Sequence, residues 1–401
     1  MTPKPKIQPR GQSPWQIFLI FLRLGLTSFG GPVAHIGYFR DEFVSRRKWL
    51  SERSYADLVA LCQFLPGPAS SQVGLALGLS RNGYSGALAA WLGFTAPSAI
   101  TLILFALGGD AMPIGVLHGL KVVAVAVVAQ AVWGMARNLC PDNTRITLMV
   151  FACCAVLLMP SAWVQVLVII ITALLGLKLY KPEQQASHDA LPITISRSMG
   201  GFWLTLFFAL LILLPMLVQW FPNHTLALID AFYRAGSLVF GGGHVVLPLL
   251  QAEVVPSGWV NKETFLAGYG AAQAVPGPLF TFAAFLGASM NEVANSWSTA
   301  LICLLAVFTP SFLLIAGALP FWEALRKNVR TQAALMGVNA GVVGILLAAL
   351  FQPVWSSAIL GPQDFALGLL AFVALMYWKL PPWLVVLGSA LIGAMLSLLL
   401  Y

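Results

Sequence analysis

Long stretches of the chain contain no Asp, Glu, Lys or Arg, among them 82–109, 146–177, 198–229, 293–322, 331–363 and 380–401. About 20 apolar residues cross the ~30 Å of hydrocarbon in a bilayer, so each stretch can span at least once. The longer ones carry turn signals. Pro160-Ser161 splits the second into helices at about 146–159 and 161–179, and Pro381-Pro382 separates a helix at about 364–379 from the last one. Segment 181–197 (KPEQQASHDALPITISR) is polar and reads as a cytoplasmic linker, with His188 in it. The apolar run 15–22 follows Lys4, Lys6 and Arg10 as in a signal peptide. Arg23 interrupts it and no small-residue cleavage site follows, so a cytoplasmic tail is expected there.

The apolar pattern repeats. FLRLGLTSFGGP, beginning at Phe21, matches FYRAGSLVFGGGH, beginning at Phe232, at a spacing of 211. WLSERSYADLVALCQFLPGP, beginning at Trp49, matches WVNKETFLAGYGAAQAVPGP, beginning at Trp259, at a spacing of 210. Arg23 pairs with Arg234, Gln63 with Gln273, and the FTAPS run ending at Ser98 with the FTPS run ending at Ser311. Matches in the same order along both halves signal an internal duplication. The expected organisation is a first repeat at 1–180, a linker at 181–199, one extra helix at 200–221 and a second repeat at 222–401.

Six segments in each half and one extra give about 13. An odd helix between two repeats inverts the second, a recurring plan of secondary transporters. With the N-terminus in the cytoplasm and the C-terminus outside, Arg326, Lys327, Arg330 and Lys379 fall inside, while 221–225, 352–363 and the C-terminus carry no Lys or Arg. That obeys the positive-inside rule. Loop 40–53 (RDEFVSRRKWLSER) conflicts, because a plain count places its five basic residues outside. The conflict vanishes if 15–39 and 55–79 are re-entrant hairpins that turn at their glycine-proline motifs.

Composition agrees with the pattern: 59% hydrophobic, 9% charged, mean hydropathy +0.85. A soluble domain carries about 25% charged residues, so a soluble enzyme, a disordered chain and a secreted disulfide scaffold are excluded. The net charge of +8 orients the chain in a membrane and is not a nucleic-acid footprint. The five cysteines (Cys62, Cys140, Cys153, Cys154, Cys303) lie in or beside apolar runs with no metal-ligand spacing, and read as packing residues. There is no GxxxxGK[ST] and no HExxH, so neither ATP-driven pumping nor metal hydrolysis is expected, and no cofactor.

The chemistry concentrates at four breaks: Gly30-Gly31-Pro32, Pro66-Gly67-Pro68, Gly241-Gly242-Gly243 and Pro276-Gly277-Pro278. In lipid, broken backbone survives only where protein or a cavity surrounds it. Each break makes helix ends, and a helix N-terminus attracts anions. Inversion would bring the four together as an anion site, with Gln63 and Gln273 beside it. Arg23 and Arg234 precede the glycine turns, and an intramembrane arginine needs a partner or a role. Asp230, four residues before Arg234, either pairs with it or carries a coupling proton. Lys121, roughly matching Asn339, is a second buried cation. His35 and His244 follow the glycine turns, and either is a candidate to carry a coupling proton. His118 and His224 read as interfacial, Asp57 and Asp110 as caps or loop charges.

FGGP near the start, PGP about 35 residues later, and the recurrence of both resemble the chromate ion transporter (CHR) family in its long, two-domain form. The second glycine motif departs from the first: Gly241-Gly242-Gly243-His244 lacks the equivalent of Pro32. The resemblance implies an all-α polytopic membrane protein of two inverted CHR repeats, not an enzyme. It implies export of chromate across the bacterial inner membrane by alternating access, giving chromate resistance, with sulfate as natural competitor. Membrane potential, a proton gradient or both would drive it. A transporter of sulfate or another oxyanion, and an oxyanion channel, are the alternatives, and a homodimer stays open. The hairpin reading makes a prediction: a cysteine replacing Ser45 is expected to resist an impermeant external thiol reagent, and external labelling would refute it.

Overall fold

The structure, a computed structural model, describes residues 12–108, 113–181, 195–290 and 296–400. Asp110, His188 and most of the polar linker lie outside the described residues. Among the described residues the chain is helical throughout, with no strand. The first half holds α1 (Pro14–Thr27), α2 (Gly31–Arg40), α3 (Glu52–Phe64), α4 (Ala69–Leu107), α5 (Ile114–Leu139), α6 (Asn143–Leu158) and α7 (Ala162–Leu179). Then come α8 (Arg197–Trp220), α9 (His224–Ser237), α10 (Val246–Val254), α11 (Lys262–Ala272), α12 (Phe282–Ala288) and α13 (Ser296–Ala318). The rest is α14 (Trp322–Lys327), α15 (Val329–Ala349), α16 (Ser356–Ala358), α17 (Pro362–Met376) and α18 (Pro382–Leu400). The turns at Pro160 and Pro381 fall where proline predicts them.

Among the described residues, six helices are long and apolar enough to cross a membrane: α4, α5, α7, α8, α13 and the α15–α16 stretch. Several of the other expected segments are shorter. At 1.5 Å per residue, α1 with 14 residues reaches about 21 Å and α3 with 13 about 20 Å. α4 is interrupted: Asn82 and Gly83 leave helical backbone angles, and Gly83 adopts φ +58°. Its first arm, up to Arg81, is as short as α3.

Local signals start the short helices at matching places. Ser13 and Gln16 form a reciprocal capping box at α1. Ser51 caps α3 and Asn261, 210 positions later, caps α11. The spacing between the repeats falls from 211 to 210 between the glycine turns and the tryptophans Trp49 and Trp259. A π-helical turn over Asp41–Arg46 lies in that interval of the first half, and such a turn accommodates one extra residue in a helix.

The halves interlock. α5 of the first half packs against α11, α17 and α18 of the second, and α15 of the second packs against α6 and α7 of the first. The approaches are backbone-close. A Cβ on Gly337 would lie 2.0 Å from the Thr172 carbonyl, and one on Gly119 would lie 2.2 Å from the Ser389 carbonyl. Small residues permit such contacts where lipid supplies no hydrophobic drive between helices.

At one end of the bundle three separate pieces of the first half meet. Asn82 Nδ2 donates to the Gln12 carbonyl at 2.7 Å, and Arg81 donates to the Trp49 carbonyl at 2.6 Å while lying 4.8 Å from that ring's centre. The start of α1, the turn after α2 and the interruption of α4 therefore share one level. In the second half the start of α9 meets the turn after α10 likewise, His224 lying 5.6 Å from the Trp259 ring.

The basic loop is organised around Glu42, which accepts from Arg47 at 2.6 Å and Arg46 at 3.1 Å. Arg40 pairs with Glu52 beside it. Burial alone would raise the Glu42 carboxyl, but the hydrogen bonds and charges of Arg47 and Arg46 outweigh it and hold it below its usual value. A carboxyl lowered by folding stabilises above its unfolded pKa, and that contribution is lost as pH falls through the folded value. Glu42→Gln is therefore expected to melt below the wild type in detergent at pH 7, with the gap closing as pH drops below about 4.3. A gap that widens in acid would overturn this.

Candidate functional site

The four breaks come together inside the bundle, and they are joined by hydrogen bonds between the halves. The Gly67 N–H donates to the Val239 carbonyl at 2.7 Å, and the Gly277 N–H donates to the Ser28 carbonyl at 3.0 Å. Gly67 and Gly277 are equivalent in the repeat, as are Ser28 and Val239. Each proline-glycine-proline break thus binds the approach to the other half's glycine turn. The two turns also touch: a Cβ on Gly243 would lie 3.2 Å from Pro32.

Glycine is required at these points. Gly30, Gly31, Gly67, Gly241, Gly242 and Gly277 all take positive φ, between +74° and +155°. At Gly67 a Cβ would lie 2.6 Å from Gln72 Nε2 and 2.7 Å from Ser311 Oγ; at Gly277 it would lie 2.9 Å from Ser98 Oγ. Ser98 and Ser311 are themselves a repeat pair, so each break faces the serine of the other half.

Polar side chains surround the crossing. His35 is buried, and its Nε2 lies 3.1 Å from the Ser28 carbonyl. A carbonyl only accepts, so Nε2 carries the proton and Nδ1 faces Ser70 Oγ at 3.4 Å. Gln72 Nε2 donates to the Pro66 carbonyl at 2.7 Å. Buried polar atoms of Ser28, Ser71, Gln72, Thr95, Gln273 and Ser311 have no hydrogen-bond partner. His244 Nδ1 lies 2.8 Å from the Tyr269 hydroxyl.

The expected cations lie elsewhere. Arg23 is exposed on the outer face of α1. Arg234 contacts Asp230 at 3.1 Å and Glu253 at 2.9 Å, and its guanidinium lies 5.0 Å from the Trp163 ring centre. Two carboxylates hold one arginine, so Arg234 offers no unpaired charge. Lys121 lines a separate cavity of about 750 Å³ between the ends of α4, α5, α11 and α12, with Asn261, Glu263 and Ser289. Its counterpart Asn339 does reach the crossing, 3.6 Å from where a Gly241 Cβ would stand.

Sequence reasoning missed several residues. Glu253 lies 19 positions beyond Arg234, across a glycine break, although it stands 211 positions after Glu42. Ser71, Gln72 and Ser311 carried no signal beyond following PGP and ending FTPS. Asp57 is no exposed cap: it is buried and accepts from Trp322 Nε1 at 3.1 Å. His118 contacts Asp364 at 2.6 Å, at the start of α17.

The chromate transporter family model matches residues 15–177 and 226–394. The chain belongs to the chromate transporter family. It is 30% identical to a chromate transport protein of Pseudomonas aeruginosa over 397 residues, covering 94% of this chain and 91% of the relative. It is 26% identical to a chromate transport protein of Cupriavidus metallidurans, covering 94% and 92%. An uncharacterized transporter of Methanocaldococcus jannaschii is 25% identical, covering 83% and 82%. No solved structure matches. Family membership and the apolar helices make this a multi-pass membrane transporter.

The glycine geometry predicts its own test. Gly67→Ala and Gly277→Ala are expected to lower the melting temperature of the detergent-solubilised protein, each costing about 1–3 kcal/mol from backbone strain alone. Gly37, helical with open space around it, is the control. Gly37→Ala should be neutral or slightly stabilising. Equal effects at all three positions would refute the constraint at the breaks.

Proposed function

We propose that this protein exports chromate from the cytoplasm across the bacterial inner membrane, binding it where the four breaks cross and moving it by alternating access between two inverted repeats. The observation that carries the site is the reciprocal pair of bonds, Gly67 to Val239 and Gly277 to Ser28. It gathers helix ends from both repeats at one buried, polar place, as a two-fold-related substrate site requires. The relatives named for chromate transport supply the substrate.

Three further observations favour re-entrant hairpins and inversion. The helices flanking the breaks are too short to span. Gln12, Trp49 and Asn82 share one level, as do His224 and Trp259. The Trp259 turn lines one cavity with Leu107, Ile114 and Ser289, which puts it at the far end of the α4 and α5 spans from Asn82. The hairpins of the two halves then open to opposite ends. The end shared by Trp49 and Arg81 carries the basic loop 40–53, and the matching loop at 253–263 carries one basic residue, Lys262, against Glu253 and Glu263. The positive-inside rule makes the first end cytoplasmic.

Export of a dianion is favoured by an inside-negative potential, by ~2.3 kcal/mol per charge per 100 mV. No ATP is then needed. The residues proposed to hold chromate are those of the breaks with Gln273 and their buried polar neighbours; Gln63 is left out because, like Arg23, it is exposed. Arg23 is left out because it faces outward, and Arg234 because Asp230 and Glu253 hold it. Asp230, His35 and His244 are the residues proposed for proton coupling. Lys121 belongs to the outer cavity as a cation on the exit path.

Chromate uptake into inverted membrane vesicles tests the proposal. Uptake is expected, and it should rise when an inside-positive potential is imposed on the inverted vesicle. Labelled sulfate driven by counterflow with equal efficiency would make the protein a general oxyanion carrier. Ionic conductance without saturation would make it a channel. Absence of chromate uptake would refute the proposal.

A further inference from the structure

The crossing contains one place where a helix N-terminus coincides with buried hydroxyls that nothing in the protein satisfies. The first arm of α4 starts at Ala69, after Pro68, and has no side-chain cap. The N–H groups of Ala69, Ser70 and Ser71 have no intrahelical partner, as at every helix start, while that of Gln72 already donates to the Pro68 carbonyl at 2.9 Å. Ser71 and Gln72 lie in that first turn, 3% and 0% exposed. Ser311, from α13 of the other half, is also 0% exposed, and its Oγ comes within 2.7 Å of where a Gly67 Cβ would stand. The hydroxyl oxygens of Ser71 and Ser311 and the Oε1 of Gln72 have no hydrogen-bond partner. Unsatisfied buried polar atoms are uncommon, and here Ser311 and the Gln72 side chain meet beside Gly67 at a helix start, with Ser71 next in sequence, which calls for a ligand.

We propose that a tetrahedral oxyanion is held here by uncharged donors: the first-turn N–H groups of α4 and the hydroxyls of Ser71 and Ser311, one from each half of the chain. This rests on the transport reading above and names the atoms that recognise the substrate. An unprotonated oxyanion only accepts hydrogen bonds, and hydroxyls and peptide N–H groups supply donors without a fixed charge. Gln72 is the positioning residue. Its Nε2 is committed to the Pro66 carbonyl and fixes the break, while its Oε1 takes a water shared with the anion. Because Ser311 belongs to the opposite half, rocking one repeat against the other separates it from α4 and releases the anion.

The test uses the full-length protein in inverted vesicles and chromate itself. Ser71→Ala and Ser311→Ala are each expected to raise the half-saturating chromate concentration about 10-fold, the effect of losing one hydrogen bond to a charged group, with maximal flux changed by less than about 2-fold. In detergent, chromate should raise the melting temperature of the wild type but not of the doubly substituted Ser71→Ala, Ser311→Ala protein. Should that double variant fail to fold, Ser71→Cys with Ser311→Cys, which keeps the size and weakens the donors, serves in its place. Wild-type half-saturation and an unchanged chromate shift in the folded double variant would overturn this assignment and leave chromate transport standing. No chromate flux in the wild type would overturn the transport reading, and this assignment with it.

Discussion

Two peptide N–H groups, those of Gly67 and Gly277, govern how this chain can fold. Each sits between prolines, where the helix is broken and no carbonyl of its own segment is in reach. A buried N–H left unpaired costs about 1–3 kcal/mol, and in an apolar bilayer no water relieves it. The partners are the carbonyls of Val239 and Ser28, each in the other half of the chain. Neither half can satisfy its own break. The interlocking of α5 with α17 and α18, and of α15 with α6 and α7, encloses a core that needs both halves present. Positive φ at both glycines and the serines packed against them follow from the same approach, because a side chain would push the strands of backbone apart.

Duplication supplied this symmetry, and the copies then diverged in charge. Arg234 is enclosed by Asp230, Glu253 and Trp163, whereas its equivalent Arg23 faces outward with Leu19 in the place of Asp230. Glu42, the equivalent of Glu253, is satisfied by Arg46 and Arg47 on its own turn. The π-helical turn Asp41–Arg46 carries the extra residue, and with it the basic cluster that the second half lacks. The helices correspond between the halves, while the ion pairs are redrawn. Ion pairs on a membrane protein also report sidedness, so the two copies cannot share them if they face opposite surfaces.

Much of the fold was legible in the sequence because apolar length and proline position act locally. The turns at Pro160 and Pro381, the breaks and the shortness of the helices around them all follow from these. Register was legible too, since the fall from 211 to 210 marks one extra residue. The exchange of helices between halves was not, because glycine contacts such as Gly337 with Thr172 depend on which faces meet, and a nearly all-apolar helix gives no periodicity to read. At the site, the breaks were legible as violations of helix rules. Their neighbours were not: Ser71, Gln72 and Ser311 are ordinary residues for a membrane helix and gain meaning only from being buried together without partners. The charged residues misled for a physical reason. An arginine in an apolar run demands an explanation, and two are available, a ligand or an internal partner. Arg234 took the second, through a Glu253 that lies beyond a break and outside any helical spacing.

A carrier for a dianion faces a limit that favours such neutral surroundings. A buried unpaired guanidinium would attract the anion strongly in a low-dielectric interior, and the same attraction would oppose its departure. Dipoles and hydroxyls bind more weakly and are easily separated, so the complex need not be deep to be selective for shape and acceptor geometry. The arrangement here fits that constraint. Arg234 is held by its carboxylates, Arg23 is turned away, and Lys121 stands in the cavity at the start of α5. If transport runs outward as proposed, the membrane potential already favours movement of negative charge, and the protein has more to gain from a site that lets go than from one that holds tightly. Under the proposed site, splitting the donors between α4 and α13 would make the repeat that moves the same element that lets go.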